Sequence, residues 1–131
     1  MDFTAKKVLV TGGSRGIGLA ISTAFAAAGA NVAIVYRAND SAAAAALAQL
    51  PGAGHSIHRA DIADPEQVRL VVDAAAKKLG GLDIVVNNAG IGDYHPIDST
   101  TYQQWQDAWQ KTLAANLTAP ANVCFCAVQH M

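Results

Sequence analysis

Short runs of β-branched and apolar residues alternate with longer stretches in which apolar residues recur every three or four positions. The short runs predict strands that are buried on both faces, and the longer stretches predict helices with one apolar face. The predicted strands are Lys7–Thr11, Asn31–Tyr36, Ser56–Arg59 and Leu82–Asn87. The predicted helices cover residues 17–28, 41–50 and 65–79, and a last long helix begins at about Thr101. This alternation indicates an α/β protein with a parallel sheet and right-handed crossovers.

Turn and capping residues mark the ends of the predicted helices. An apolar face built on Ile17, Ile21 and Phe25 is expected for the first helix, which Gly29 ends. The segment 64–67 is a favourable helix start, with an aspartate cap, a proline in the first position and a glutamine three residues after the cap. These signals support one domain without an internal linker.

A glycine-rich segment, TGGSRGIG at 11–18, follows the first strand and opens the first helix. Glycine allows a close approach of the backbone, and a helix N-terminus offers unpaired N–H groups and a positive dipole end, so both suit a phosphate. Gly13 and Gly18 have the spacing of a nucleoside-triphosphate loop, but Leu19 and Ala20 stand where that loop needs lysine and serine or threonine. The G-x-G-x-x-G dinucleotide fingerprint does not fit either.

The spacing of Gly12, Gly16 and Gly18 resembles the T-G-x-x-x-G-x-G motif of the short-chain dehydrogenase/reductase family. Three more family motifs follow in the same order: Asp61-Ile62, Asn87-Asn88-Ala89-Gly90, and Asn116 within LAANLT. The resemblance covers nearly the whole chain, and bacterial 3-oxoacyl-carrier-protein reductases and sugar or polyol reductases are similar to it. It implies a Rossmann-like, doubly wound parallel sheet with strand order 3-2-1-4, truncated after the fourth strand and fourth helix.

The resemblance also implies a dinucleotide-binding site along these motifs. The glycines would form the turn, admit the pyrophosphate and let the first helix pack near the sheet. Asp61 would contact the adenine, and Asn87 would lie near the adenosine ribose. The residues expected to bind the cofactor are Gly12, Gly13, Ser14, Arg15, Gly16, Ile17, Gly18, Tyr36, Arg37, Asp61, Ile62, Asn87, Ala89 and Gly90.

The residues at the end of the second strand predict which nicotinamide cofactor binds. NAD enzymes usually place an acidic residue there for the ribose 2′-hydroxyl, whereas an arginine favours the 2′-phosphate of NADP. This chain has Tyr36 and Arg37 at that point, and Arg15 in the glycine loop. Two guanidinium groups can bind one phosphate, so we predict NADP(H). Asp40 is the nearest acid, and we interpret it as a helix cap.

The family's proton-transfer residues are not found in this sequence. The family uses a tyrosine whose pKa is lowered by a lysine four residues later, and a serine that orients the substrate oxygen. None of the tyrosines, Tyr36, Tyr94 and Tyr102, has a lysine four residues later. We therefore expect a single domain over 1–131, incomplete at its C-terminus, that supplies the cofactor-binding half of an NADP(H)-dependent carbonyl or alcohol oxidoreductase. The alternative is a nucleotide-binding module without catalysis.

Asn116 is the one catalytic residue that the resemblance assigns, as the anchor of a water in the proton relay. Pro120 lies four residues later and has no N–H to donate to the Asn116 carbonyl. That carbonyl is expected to be free to hold the water; the alternative is a kink without a chemical role.

Composition bears on whether the protein binds nucleic acid, a membrane or a metal, and on whether it is secreted. A net charge of −1 gives no electrostatic footprint for nucleic acid or an anionic membrane. No apolar stretch reaches the roughly 18 residues of a membrane span, and the N-terminus lacks a signal-peptide pattern. Cys124 and Cys126 are interpreted as reduced core thiols of a cytoplasmic protein. The four histidines predict no metal site.

The last predicted helix carries three aromatic residues at helical spacing: Tyr102, Trp105 and Trp109. This spacing indicates a core or helix-packing surface rather than a surface that stacks on nucleic-acid bases. The resemblance implies a small carbonyl or alcohol substrate and a homo-oligomer.

Overall fold

Four parallel strands form the sheet in the computed structural model, which describes residues 2–131. The strands are β1 (Lys7–Thr11), β2 (Asn31–Tyr36), β3 (Ser56–Arg59) and β4 (Ile84–Asn87). Their order is β3-β2-β1-β4, so the α/β class and the predicted strand order are confirmed. The last strand begins at Ile84 rather than Leu82, whose N–H is donated to the His130 carbonyl at 3.0 Å instead of to a strand.

Helices cover both faces of the sheet. They are α1 (Gly16–Ala27), α2 (Asp40–Gln49), α3 (Pro65–Leu79), α4 (Tyr102–Leu113) and α5 (Ala119–Ala127), and a 3₁₀ turn (Val128–His130) follows α5. The predicted last helix is thus two helices, joined by a wide π-helical turn over Ala114–Thr118. Within it the Ala119 N–H donates to Ala114, five residues back. Pro120 lacks the N–H that a regular helix would need there, which explains the widening.

The core lies on both sides of the sheet. Leu9 packs in one cluster with residues of α3 and α5, including Val72 and Val123. Val8 and Val10 point to the opposite face and pack with residues of α1 and α2. Alternate strand residues are therefore buried on opposite faces, which explains why the strands read as continuous apolar runs rather than alternating ones.

The predicted apolar face of α1 is confirmed in part, since Ile21 and Phe25 pack against the core and Ile17 does not. Ile17 is 76% exposed, and the fully buried positions of the helix are Gly18, Ser22 and Ala26. Gly18 lies close to Gly12 at the start of the helix, and the preceding Ile17 is left lining the cleft. The prediction that Ile17 belongs to the buried face is therefore wrong.

The helix caps confirm one expectation and correct another. Asp64 caps α3, since its Oδ1 accepts from the N–H of Glu66 at 2.9 Å and of Gln67 at 3.3 Å. The cap of α2 is Asn39, whose side chain accepts from the Ala42 N–H at 2.9 Å. Asp40 is the first residue of that helix, and its carboxylate is engaged elsewhere, so its interpretation as the cap is wrong.

The cysteines are both free, but only one is partly buried. Cys124 is exposed, and its Sγ accepts from Asn87 Nδ2 at 3.2 Å, so its assignment to the core is wrong. The reason is that Val123 and Ala127 form the buried side of α5 and leave Cys124 on the other side. Burial raises the pKa of the Cys126 thiol.

Residues 2–131 can also be compared with the expectations about a metal site, a membrane span and the aromatic side chains of the last helix. No group of three or more histidine, cysteine or acidic side chains in this range could hold a metal ion. No helix in the same range is long and apolar enough to cross a membrane. Tyr102, Trp105 and Trp109 stack along an exposed side of α4, with ring centroids 6.1 and 5.5 Å apart, so they are not core residues.

Candidate functional site

An open cleft of about 510 Å³ lies at the carboxyl ends of the strands. Ligands of doubly wound sheets bind at this edge. The cleft is lined by Gly12, Ser14, Arg15, Gly16, Ile17, Gly18, Val35, Tyr36, Arg37, Ala38, Asn39, Ala42, Ala60, Asp61, Ile62, Asn88, Ala89, Gly90, Ile91 and Ala115. Segments far apart in the sequence thus meet at one site.

All but two of the residues predicted to bind the cofactor line this cleft. Gly13 is buried beneath the loop, where an added Cβ would lie 2.9 Å from Ser22 Oγ and 3.1 Å from Ile34 Cγ2. Asn87 turns its amide toward α5 and donates to Cys124. The structure therefore places Gly13 in the packing of α1, and it does not place Asn87 at the cleft.

Several residues that line the cleft were not among the predicted cofactor-binding residues. Ala38, Asn39 and Ala42 follow the end of β2 and form one wall, while Ile91 directly follows the motif at 87–90 and Ala115 precedes Asn116 in LAANLT. Small apolar side chains carry no chemical signature of their own. Their nearness to a strand end, or to the motif residues Gly90 and Asn116, was the signal in the sequence that could have identified them.

The glycine loop brings the start of α1 to the cleft. Gly12 has a φ of +66°, a conformation that favours glycine, and its N–H donates to the Val35 carbonyl at 2.8 Å. The residue before the helix, Arg15, has extended backbone, and no side chain among residues 2–131 caps the first turn. The first N–H groups of the helix therefore remain for an anion.

Thr11 and Asn88 join the ends of β1 and β4. Thr11 Oγ1 accepts from the backbone N–H groups of Asn88 and Ala89, both at 3.1 Å. Asn88 Nδ2 donates to the carbonyls of Thr11 at 3.0 Å and Gly12 at 3.2 Å. These four bonds hold the glycine loop against the Asn88–Gly90 wall, so the geometry of the cleft depends on them.

The end of β2 carries positive charge toward the cleft. Neither Arg15 nor Arg37 forms an ion pair with a carboxylate of residues 2–131, whereas Arg59 and Arg69 do. The Tyr36 hydroxyl donates to Asp40 Oδ1 at 3.0 Å, and this bond raises the pKa of Tyr36. The phenol therefore stays protonated at neutral pH, and two unpaired guanidinium groups border the cleft.

Asn116 holds the loop that follows Gly90. Its Oδ1 accepts from the Ile91 N–H at 2.9 Å, and its Nδ2 donates to the Ile91 carbonyl at 2.8 Å. Lys111 adds an ion pair to Asp93 at 2.9 Å. Pro120 offers no N–H to the carbonyls of Ala115 and Asn116, which precede it by five and four residues.

Asn116→Ala is expected to free this loop. Two hydrogen bonds to Ile91 would be lost, each contributing about 1 kcal/mol. Exchange of the Ile91 amide proton should then speed up about 30-fold, measured by NMR or mass spectrometry. Asn122→Ala is the control, since the Asn122 side chain makes no hydrogen bond within residues 2–131. Unchanged exchange at Ile91 would contradict the role assigned to Asn116.

Comparison with known proteins identifies relatives of this chain. The chain is 36% identical over 132 residues to 3beta-hydroxysteroid dehydrogenase 1 of Eggerthella lenta, covering 98% of this chain and 49% of that protein. It is 37% identical over 135 residues to the 3-oxoacyl-[acyl-carrier-protein] reductase of Chlamydia pneumoniae, covering 100% and 52%. The chain therefore spans about half the length of the curated relatives it matches.

A solved structure and a family model complete the comparison. A short chain dehydrogenase from Burkholderia cenocepacia J2315 in complex with NADP superposes with a TM-score of 0.90 at 41% identity. That match covers 100% of this chain and 53% of the other. The model of the short chain dehydrogenase family matches residues 6–131. The resemblance indicated by the sequence motifs is confirmed, and the chain belongs to the short-chain dehydrogenase family.

Proposed function

We propose that the cleft binds NADP(H), and that the chain supplies the cofactor-binding half of an oxidoreductase acting on a small carbonyl or alcohol substrate. One observation carries the cofactor assignment. Arg15 and Arg37 both line the cleft without a carboxylate partner among residues 2–131, and position 36 is a tyrosine rather than an acid. A 2′-phosphate would neutralise these charges, whereas a free 2′-hydroxyl would not.

The residues present fit a dinucleotide. At Gly16 a Cβ would meet nothing within 4 Å, so the backbone there faces open space and a pyrophosphate could approach it closely. The uncapped start of α1 would bind the phosphates, and Asp61 and Ile62 would border the adenine. The bound cofactor would supply hydride transfer. The Burkholderia relative that binds NADP supports this assignment.

Asn116 is the candidate catalytic residue of this chain. Its side chain keeps Ile91 in place beside Gly90, and its carbonyl, four residues before Pro120, is predicted to hold a water of the proton relay. A homo-oligomeric state, which the family resemblance implies, and a cytoplasmic location, which is inferred from the cysteines, stay predictions.

Nucleotide binding without catalysis is the second candidate function. It is favoured by the observation that Tyr36, Tyr94 and Tyr102 all lack a lysine four residues later. Turnover of a carbonyl substrate by the 131-residue chain with NADPH would exclude it.

Titration of the chain with NADPH and NADH tests the cofactor assignment. NADPH is expected to bind at least tenfold tighter, and Arg37→Gln is expected to weaken NADPH about tenfold while leaving NADH unchanged. Arg69→Gln is the matched control, because Arg69 lies on α3 and pairs with Glu66 and Asp73 away from the cleft lining. Tighter binding of NADH would overturn the assignment.

A further inference from the structure

Tyr36 on β2, Asp40 on α2 and Arg59 on β3 form a connected group of polar side chains at the end of β2. The Tyr36 hydroxyl donates to Asp40 Oδ1 at 3.0 Å, and an Arg59 guanidinium nitrogen lies 3.4 Å from Asp40 Oδ2. Arg59 Nε donates to the Arg37 carbonyl at 3.2 Å. Tyr36 and Arg59 are register partners of β2 and β3, so the strand pairing itself brings this group together.

Asp40 places a negative charge next to the proposed 2′-phosphate region. Its carboxylate is bonded to Tyr36, whose side chain lines the cleft together with Arg37. A free carboxylate there would repel a phosphate and would suit a ribose hydroxyl, the feature that favours NAD. The pairing with Arg59 neutralises this charge, and the Tyr36 hydroxyl donates to the other carboxylate oxygen.

Arg59 also fixes the backbone that carries Arg37. The bond to the Arg37 carbonyl joins β3 to the segment 37–39, which forms one wall of the cleft. Arg59 is not itself a lining residue. Any effect on ligand choice therefore acts through Asp40 and Arg37.

The pair contributes little to folding. The side chains of Arg59 and Asp40 are 60% and 64% exposed, and exposed ion pairs have small effects on stability. An effect of Arg59 on ligand choice can thus be measured without loss of the fold.

We propose that Arg59 is a positioning residue that sets cofactor specificity. By neutralising Asp40 and holding the Arg37 backbone, it lets the cleft accept a nucleotide with a 2′-phosphate in preference to one with a free 2′-hydroxyl. This inference rests on the proposed NADP(H) binding and adds to it a residue that makes no contact with the ligand.

The test compares 2′,5′-ADP with 5′-AMP, which differ in the 2′-phosphate. Calorimetric titration of the 131-residue chain should show that Arg59→Met weakens 2′,5′-ADP about fivefold and leaves 5′-AMP within about twofold. Adding Asp40→Asn to Arg59→Met should recover most of that loss, because the unpaired carboxylate is removed. The loss should shrink in high salt.

The control variants distinguish a change in nucleotide preference from a general disturbance of the structure. Arg69→Met removes an arginine with similar exposed ion pairs on α3 and should change neither affinity. Equal weakening of both nucleotides by Arg59→Met, or no recovery by Asp40→Asn, would overturn the inference. So would an unchanged preference in Arg59→Met. If the wild-type chain itself does not prefer 2′,5′-ADP, the proposed NADP(H) function fails, and the inference fails with it.

Discussion

Gly18→Ala is expected to abolish nucleotide binding and to lower the free energy of unfolding by about 3 kcal/mol. A Cβ at this position would lie 2.5 Å from Asn88 Nδ2 and 2.8 Å from the Gly12 carbonyl carbon, with the Gly12 carbonyl oxygen nearer still. Two of these neighbours are backbone atoms of the glycine loop, so no rotamer change can relieve the overlap. Either α1 moves off the sheet or the loop opens. Urea denaturation and NADPH titration measure both effects.

Two other glycines make matched controls for this prediction. A Cβ at Gly92 meets nothing within 4 Å and the residue has no positive φ, so Gly92→Ala should be neutral. A Cβ at Gly16 also meets nothing within 4 Å, but the φ of +53° should cost about 1 kcal/mol. A Gly18→Ala variant that is as stable as Gly16→Ala, or more stable, would contradict the role of Gly18 in the close packing of α1 against the loop.

Periodicity and motif spacing were sufficient to predict the strand order, the first three helices and most of the cleft. The β-branched runs identified β1, β2 and β4 because a parallel sheet is buried on both faces, whereas the signal for β3 (Ser56–Arg59) was weak. Motifs at strand ends fall at one sheet edge, so the sequence alone places Gly12, Asp61 and Ala89 together. These features depend on local patterns and on a topology that chirality restricts.

Features that depend on side-chain partners could not be predicted in the same way. Asn116 and Ile91 are bonded across 25 positions of the sequence, and nothing in either segment indicates the pairing. Arg59 reaches Asp40 because of the β2–β3 register, which the short strand at 56–59 does not reveal. The exposed Ile17 lines the cleft beside Gly18, a three-dimensional placement that apolar periodicity does not reveal.

Thr11→Val is expected to lower the free energy of unfolding by about 2 kcal/mol and to weaken NADPH about tenfold. Thr11 is 1% exposed, and valine fills the same space without the hydroxyl. The Asn88 N–H would keep the Val86 carbonyl, at 3.1 Å, as an acceptor. The Ala89 N–H, whose protein acceptor is Thr11 Oγ1, would be left unpaired beside the cleft. Because Ala89 and Gly90 line the cleft, a shift of this segment also disturbs the nucleotide site.

Thr11→Ser distinguishes the hydroxyl from the methyl group. Serine keeps the acceptor for Ala89 but loses one buried methyl, which should cost about 1 kcal/mol and leave NADPH affinity close to that of the wild type. Thr11→Val should therefore be the less stable of the two variants, although it buries more apolar surface. The reverse order in urea denaturation would mean that Thr11 acts through packing alone. The expected order would mean that a buried hydroxyl on β1 holds the wall of the cleft that follows β4, so that the fold and the binding site depend on the same hydrogen bonds.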